Sequence, residues 1–218
     1  MQEASKALIR RLSDSRFATT YFKGDGIDIG AGDDALSKFK QQYPLMNSLK
    51  AWDLADGDAQ KMKGVRDNRY DFVHSSHCLE HLDNPYEAFK NWLRILKPGG
   101  YIITSVPDED LYEQGIFPHW NPAHKTSWTI LKKESWSPKS ISVVKLLYKF
   151  IDQIEILKIE LINSSYLYDL PKTLDQTYQD GISECAIEFI VRKRLKIEIK
   201  KKGRYPKKKL LARILAKK

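Results

Sequence analysis

All five histidines of the chain fall between residues 74 and 124: His74, His77, His81, His119 and His124. Imidazole is the side chain that exchanges a proton near neutral pH, so this clustering marks a region able to do acid–base chemistry. The five are not equivalent. His74 sits inside the apolar run "YDFVHSS", where packing or a hydrogen bond at a sheet end suits it. His81 lies in "LEHL" and reads as a brace for the helix that follows. His77 comes directly after Ser75 and Ser76, at the end of a strand. His119 and His124 occupy "FPHWNPAHKTSW", a loop more elaborate than a connection needs and so a candidate substrate wall. His124 and His77 are therefore the candidate proton acceptors. "PDEDLYEQ" adds Asp108, Glu109 and Asp110, which read as a solvated acidic turn, as hydrogen-bonding groups for a polyol, or as ligands for a divalent cation. Acids and histidines close in sequence do not make a metal site without geometry, and no metal is expected.

A second stretch, "GIDIGAGDD" at residues 26–34, ends an apolar run in two glycines with carboxylates on both sides. It could be a tight turn that binds nothing. A dinucleotide fingerprint would need a further glycine where Ala35 stands, and Asp33 and Asp34 would repel a pyrophosphate. The third reading is a nucleoside ligand that carries positive charge, since carboxylates attract cations and accept hydrogen bonds from ammonium and hydroxyl groups.

The residues around this stretch favour the third reading. With "NRYDFVHSSHCLEHL" and "RILKPGGYIITSVP" following in that order, the chain from about Gly24 to about Thr129 resembles the class I S-adenosylmethionine-dependent methyltransferases. The resemblance implies an α/β, Rossmann-like fold with a mostly parallel seven-stranded sheet, an antiparallel edge strand and helices on both faces. It also implies S-adenosylmethionine as cofactor and S-adenosylhomocysteine as product. Asp28, Gly30, Ala31 and Gly32 match the family's first motif, where glycines pass under the methionine part of the cofactor. Asp53 falls where the family grips the ribose hydroxyls, Asp58 and Ala59 where it meets adenine, and Ser75 and Ser76 at the strand end beside the sulfonium. Two departures stand out: Asp34 replaces a third glycine, and only four residues separate Asp53 from Asp58. The combination "SSHCLEHL", "PDEDLYEQG" and "NPAHK" is similar to methyltransferases of bacterial surface-polysaccharide pathways. That implies O-methylation of a sugar hydroxyl on a lipid-linked or nucleotide-linked glycan. An RNA methyltransferase and a non-catalytic cofactor-binding scaffold are the alternatives.

These residues need elements to position them. Residues 3–12 read as an amphipathic helix, Gly26–Ile29 as a buried strand, and "ALSKFKQQY" as a helix. "SLKAWDL" reads as a strand ending at Asp53, and "YDFVHSS" as the next strand. "NPYEAFKNWLRILKPGG" reads as a helix capped by Asn84 with Pro85 at its first position, stopped by Pro98-Gly99-Gly100. "YIITSVP" follows as a strand. "SPKSISVVKLLYKF" reads as a helix capped by Ser137, and "QIEILKIELI" and "ECAIEFIVRKR" as two late strands that suggest an antiparallel edge.

The 218 residues are enough for one domain with a full core, and no apolar run reaches the ~20 residues of a membrane span. The N-terminus lacks a signal-peptide core, and two cysteines do not suggest a disulfide framework, so a cytoplasmic setting is expected. The net charge of +9 is unevenly spread. Residues 192–218 hold fourteen Lys and Arg against one acid, whereas residues 1–191 hold 23 basic and 27 acidic residues. The domain is taken as 1–195 and the basic tail as 196–218. Leu210, Leu211, Ile214 and Leu215 share one helical face in that tail, which suits an anionic membrane surface and a peripheral location. Tyr205 is the tail's sole aromatic, which disfavours nucleic acid.

Overall fold

The structure is a computed structural model that describes residues 3–172, 174–178 and 183–204. Its elements begin with α1 (Glu3–Leu12), β1 (Gly24–Ile29), β2 (Met46–Trp52) and β3 (Tyr70–Ser76). They continue with α2 (Pro85–Ile95), β4 (Leu96–Pro107), β5 (Ser127–Thr129) and β6 (Ser140–Ser142). The last are α3 (Val143–Tyr148), β7 (Ile154–Ile162), β8 (Ala186–Lys193) and α4 (Lys196–Lys200). Six strands form one sheet in the order β2-β1-β3-β4-β8-β7. The first four are parallel, and β8 runs antiparallel to both of its neighbours. β5 and β6 form a separate small parallel pair.

Successive side chains of a strand point to opposite faces, and the core divides accordingly. Val73, Ile102 and Phe189 belong to one apolar cluster, with Phe89 and Trp92 of α2 and Val143 and Leu146 of α3. Their chain neighbours Phe72, Ile103 and Ile190 belong to the other, with Phe17, Tyr21, Phe22, Leu36 and Tyr43. The two faces are thus covered by different means. α2 and α3 cover one, while α1 and short helical turns at Phe17–Tyr21 and Leu36–Gln42 cover the other.

The α2 reading holds: Asn84 Oδ1 accepts the Glu87 N–H at 3.1 Å and Pro85 opens the helix. Three expectations are corrected. Among the described residues the main sheet has six strands, not seven. Residues 54–69 contain no alternating apolar run, and Met62 and Asn68 adopt positive φ, outside the β region of residues with a side chain. β2 is therefore the sheet edge. The stretch after the glycines forms tight 3₁₀-type turns rather than an α-helix, because Phe39 leaves helical geometry at φ −108° and ψ 15°. The helix expected from Ser137 starts later. Ser137 precedes β6, and the cap of α3 is Ser142, whose side chain accepts the Lys145 N–H.

α4 docks onto the sheet through Arg192, which is bonded to Glu198 at 2.7 Å. The tail residues Tyr205, Leu210, Leu211, Ile214 and Leu215 lie outside the described residues. Among the described residues, no helix is long and apolar enough to cross a membrane.

Candidate functional site

The carboxyl ends of β1, β2 and β3 meet at the glycine turn, where open α/β sheets bind ligands. Gly30 has φ +73°, and a Cβ there would lie 2.6 Å from the Cys78 Cβ, so no larger residue fits. Gly32 has φ +49° and only open space where a Cβ would be. Both glycines line two adjoining cavities. The smaller, of 180 Å³, is bounded by Glu3, Ala4, Asp28, Asp33, His74 and Ser76. The larger, of 670 Å³, is bounded by Asp53, Asp58, Ala59, His77, His81 and Lys125, among others.

Asp53 follows β2 and is exposed. Its Oδ1 accepts the Leu54 N–H at 2.8 Å and its Oδ2 the Gly32 N–H at 3.0 Å. The carboxylate thus ties the glycine turn to the end of β2 while facing the larger cavity. Asp58 accepts the Gln60 N–H at 2.7 Å, and the Ala59 carbonyl accepts Trp92 Nε1–H at 2.9 Å. Trp52 Nε1–H reaches the Gly57 carbonyl at 3.1 Å, and Asn91 Nδ2–H the Gln60 carbonyl at 3.0 Å. A loop therefore forms the outer wall of the cleft, pinned to the core by these donors and by Arg94, which reaches the Met62 and Val65 carbonyls.

Two of the expected cofactor residues are committed elsewhere. Asp28 is buried and accepts the Leu36 N–H at 2.7 Å and His74 Nδ1–H at 2.6 Å. His74 Nε2 in turn accepts from Arg11 Nη1 at 3.0 Å, and Arg11 Nε reaches Glu188 at 3.0 Å. Asp28 borders the smaller cavity as the end of a buried network rather than as a free carboxylate. Ser75 is fully buried, and its hydroxyl donates to the Ile29 carbonyl at 2.9 Å, joining β1 to β3 instead of facing the cleft. Ser76 keeps its place on the wall of the smaller cavity, 3.1 Å from the Ser105 hydroxyl. Asp34, where the family has a glycine, accepts the Ser5 N–H at 2.8 Å and also the Ser5 hydroxyl. It holds the start of α1 across the glycine turn, which the sequence reading did not foresee.

The histidines separate into two layers. His77 lines the larger cavity and adopts φ +51°, a strained conformation for a residue with a Cβ. Its Nδ1 is 3.5 Å from Glu80 Oε1 and its Nε2 is 3.6 Å from Glu3 Oε2. Burial, together with the nearby His124, Lys6 and His81, pulls its pKa down to about 3. Burial likewise pushes Glu80 up to about 8 and Glu3 up to about 7, so neither acid supports a charged imidazole near neutrality. His77 is therefore neutral at pH 7, and the same depression makes it a weak base in the free protein. His124 is buried and does not line the larger cavity. Its Nδ1 donates to Glu113 Oε1 at 2.7 Å, and its ring lies 4.8 Å from that of His81. The sequence paired His124 with His77 as candidate bases, but the structure puts His81 between His124 and the cleft. Glu113 and Glu80, which the sequence reading passed over, carry no motif of their own and emerge only in three dimensions. Cys78, beside Gly30, is buried with its thiol pushed up to about 12, which excludes it as a nucleophile at neutral pH. In the acidic run after β4, Asp108 and Glu109 turn inward while Asp110 stays exposed. Glu109 and Asp110 bind Lys132, each at 2.7 Å, and Asp108 caps the following turn through the Asp110 and Leu111 N–H groups.

The methyltransferase-domain family matches residues 1–140, and the chain belongs to that family. No curated protein matches the sequence. Solved structures share the fold. An S-adenosylmethionine-dependent methyltransferase from Mesorhizobium loti superposes with a TM-score of 0.54 at 13% identity, covering 86% of this chain and 98% of that one. A SAM-dependent methyltransferase from Archaeoglobus fulgidus gives 0.51 at 17% identity, over 86% and 94%. The 1,6-didemethyltoxoflavin-N1-methyltransferase of Burkholderia thailandensis, with its substrate and S-adenosylhomocysteine bound, gives 0.53 at 13%, over 89% and 80%. S-adenosylmethionine is the cofactor, and the cleft fits it. The backbone at Gly30 and Gly32 is bare toward both cavities, and Asp53 stands at the mouth of the larger one, able to accept from ribose hydroxyls.

Proposed function

We propose that the protein O-methylates a sugar hydroxyl of a surface glycan or of its lipid-linked or nucleotide-linked precursor. When bound, S-adenosylmethionine supplies an electrophilic methyl group on a sulfonium. The chain's own residues do the rest. Gly30 and Gly32 let the ligand approach the backbone, Asp53 and Asp58 orient its nucleoside end, and Glu3 and Ala4 of α1 close over the smaller cavity. Methyl transfer is an in-line displacement that needs alignment and, for a hydroxyl acceptor, a group to take the proton. His77 is assigned that proton by its place on the cleft wall, and a bound acceptor and cofactor have to raise its basicity above that in the free protein. Asp83, Lys125 and Gln60 give the cleft further polar groups that suit a hydroxyl-rich acceptor. The observation that carries the reading is the glycine turn, open on two cavities and tied to Asp53. The glycan acceptor is supported by the resemblance of the histidine-bearing segments.

Calorimetric titration with S-adenosylmethionine and S-adenosylhomocysteine, beside an Asp53→Ala variant, tests the first half. Micromolar binding that weakens at least ~10-fold in the variant is expected, a loss of about 1.4 kcal/mol. No binding by the wild type overturns the reading. Mass spectrometry of a panel of nucleotide-linked and lipid-linked sugars then tests the acceptor. Turnover that His77→Ala abolishes while cofactor binding persists is the expected result. Cofactor binding with no turnover on any acceptor makes the protein a scaffold and sinks the enzymatic half.

A further inference from the structure

Behind the cleft wall, Glu80, His81 and His124 each offer one ligand atom, and these atoms all lie within 4.8 Å of one another. Glu80 is fully buried, yet neither of its carboxylate oxygens has a hydrogen-bond partner. A buried carboxylate in that state is costly unless something positive or protic meets it. The nearest groups are His77 Nδ1 at 3.5 Å and His81 Nε2 at 4.0 Å. The two histidines are held in a specific way. His81 Nδ1 donates to the Ala123 carbonyl at 3.1 Å and His124 Nδ1 donates to Glu113 Oε1 at 2.7 Å. With Nδ1 carrying the proton, Nε2 of each ring presents a lone pair. An acceptor behind Nδ1 is how proteins orient metal-binding imidazoles.

The three donors come from two parts of the chain that the backbone locks together. Glu80 and His81 lie in the turn Leu79–His81 directly after β3, and His124 lies in the loop before β5. The Lys125 and Thr126 N–H groups both donate to the Glu80 carbonyl, at 2.7 and 3.2 Å, which straps that loop onto the turn.

We propose that Glu80, His81 and His124 bind a divalent transition-metal ion of the zinc type. Two imidazoles and one carboxylate suit zinc, cobalt, nickel or ferrous iron, whereas calcium and magnesium prefer oxygen donors alone. Bonds of about 2.0–2.2 Å place donors roughly 3.4 Å apart around one ion, so the three close in by about 1 Å. Three protein ligands leave a coordination position open. His81 belongs to both the cluster and the cavity wall, so a bound ion would sit next to the cleft. This assigns His124 as a ligand rather than as the base, and it stands whether or not the methyl-transfer reading does.

The test is metal titration of the purified full chain after chelator treatment, with zinc measured by competition against a chromophoric chelator and cobalt by its visible absorption. One equivalent with a nitrogen-containing cobalt spectrum is expected. Glu80→Gln, His81→Asn and His124→Asn should each weaken binding by more than ~10-fold, and Glu113→Gln by about 10–100-fold. His119→Ala, which alters a histidine of the same loop outside the cluster, should bind like the wild type. Circular dichroism checks the fold of each variant, and His81→Asn, at a half-exposed position, carries the test if the buried changes unfold the chain. Absent uptake, uptake that survives these substitutions, or uptake lost in His119→Ala overturns the proposal.

Discussion

Asp34 takes the backbone N–H of Ser5 at 2.8 Å, so the acid that ends the glycine turn also holds the first helix over the ligand cleft. The contact joins residues far apart in sequence and gives the Asp34 carboxylate a structural role. Asp34→Ala removes the acceptor for both Ser5 groups. A loss of about 1 kcal/mol of stability is expected in urea denaturation, the scale of losing a capping side chain. Calorimetry should show weaker cofactor binding as well, since Glu3 and Ala4 would no longer be held against the smaller cavity. Unchanged affinity would separate α1 from the site.

The buried network that ends at Glu188 sets the acid sensitivity of the fold. Burial alone would raise the Glu188 pKa, but Arg11, Arg10 and Lys158 outweigh it and hold the carboxyl well below its ordinary value of 4.5. A depressed carboxyl contributes stability above its unfolded pKa and loses it as pH falls through the folded one. Glu188→Ala strands Arg11, which is buried, and should cost about 3–5 kcal/mol at pH 7. The penalty should shrink as the pH is lowered below about 4. Stability measured by urea titration across pH 2–7 checks both points.

Asp108 behaves in the opposite sense. Burial raises its pKa from 3.8 to about 6, against the pull of the Leu111 and Asp110 N–H groups. Its native state binds a proton more readily than the unfolded chain, so its contribution is best below pH 4 and is lost as pH rises through about 6. Asp108→Asn keeps the acceptor oxygen without the charge. At pH 7 the variant should gain on the order of 1–2 kcal/mol relative to wild type, with no gain at pH 4. An equal difference at both pH values would remove the titration account.

His77 sits at positive φ, where a Cβ is unfavourable and glycine is not. His77→Gly should therefore be about 1 kcal/mol more stable than His77→Ala in urea denaturation, although it deletes the same side chain. Both should lose turnover alike. A glycine variant no more stable than the alanine one would show that position 77 carries no backbone strain.

Much of this architecture could be read along the chain. α1, β3 and the cap of α2 follow from local patterns: the amphipathic spacing of residues 3–12, the run "YDFVHSS", and Asn84 before Pro85. The glycine turn and Asp53 were legible because a bare backbone and a strand-end acid leave signatures in adjacent letters. Other features depend on partners distant in sequence. Ser75 looks like a cleft residue until β1 is placed beside it and its hydroxyl finds Ile29. His124 looks like a free base until Glu113 and His81 close on either side. Glu80 sits between two histidines that give it no hydrogen bond, and only the folded loop around His124 shows how isolated its carboxylate is. The missing seventh strand was foreshadowed by the short spacing from Asp53 to Asp58, but the polarity of residues 54–69 decided it.

That missing strand bears on traffic through the site. A cleft bounded by a strand opens only by breaking a ladder of main-chain hydrogen bonds, whereas this one is bounded by a loop held at Gly57, Ala59 and Gln60 by Trp52, Trp92 and Asn91. These bonds, like those of Arg94 to the Met62 and Val65 carbonyls and of the Gln60 side chain to Glu87 and Asn84, involve side chains, so the loop can shift without disturbing the sheet. Residence time of the nucleoside, and with it the rate at which spent cofactor leaves, is thereby entrusted to side-chain contacts rather than to a sheet ladder.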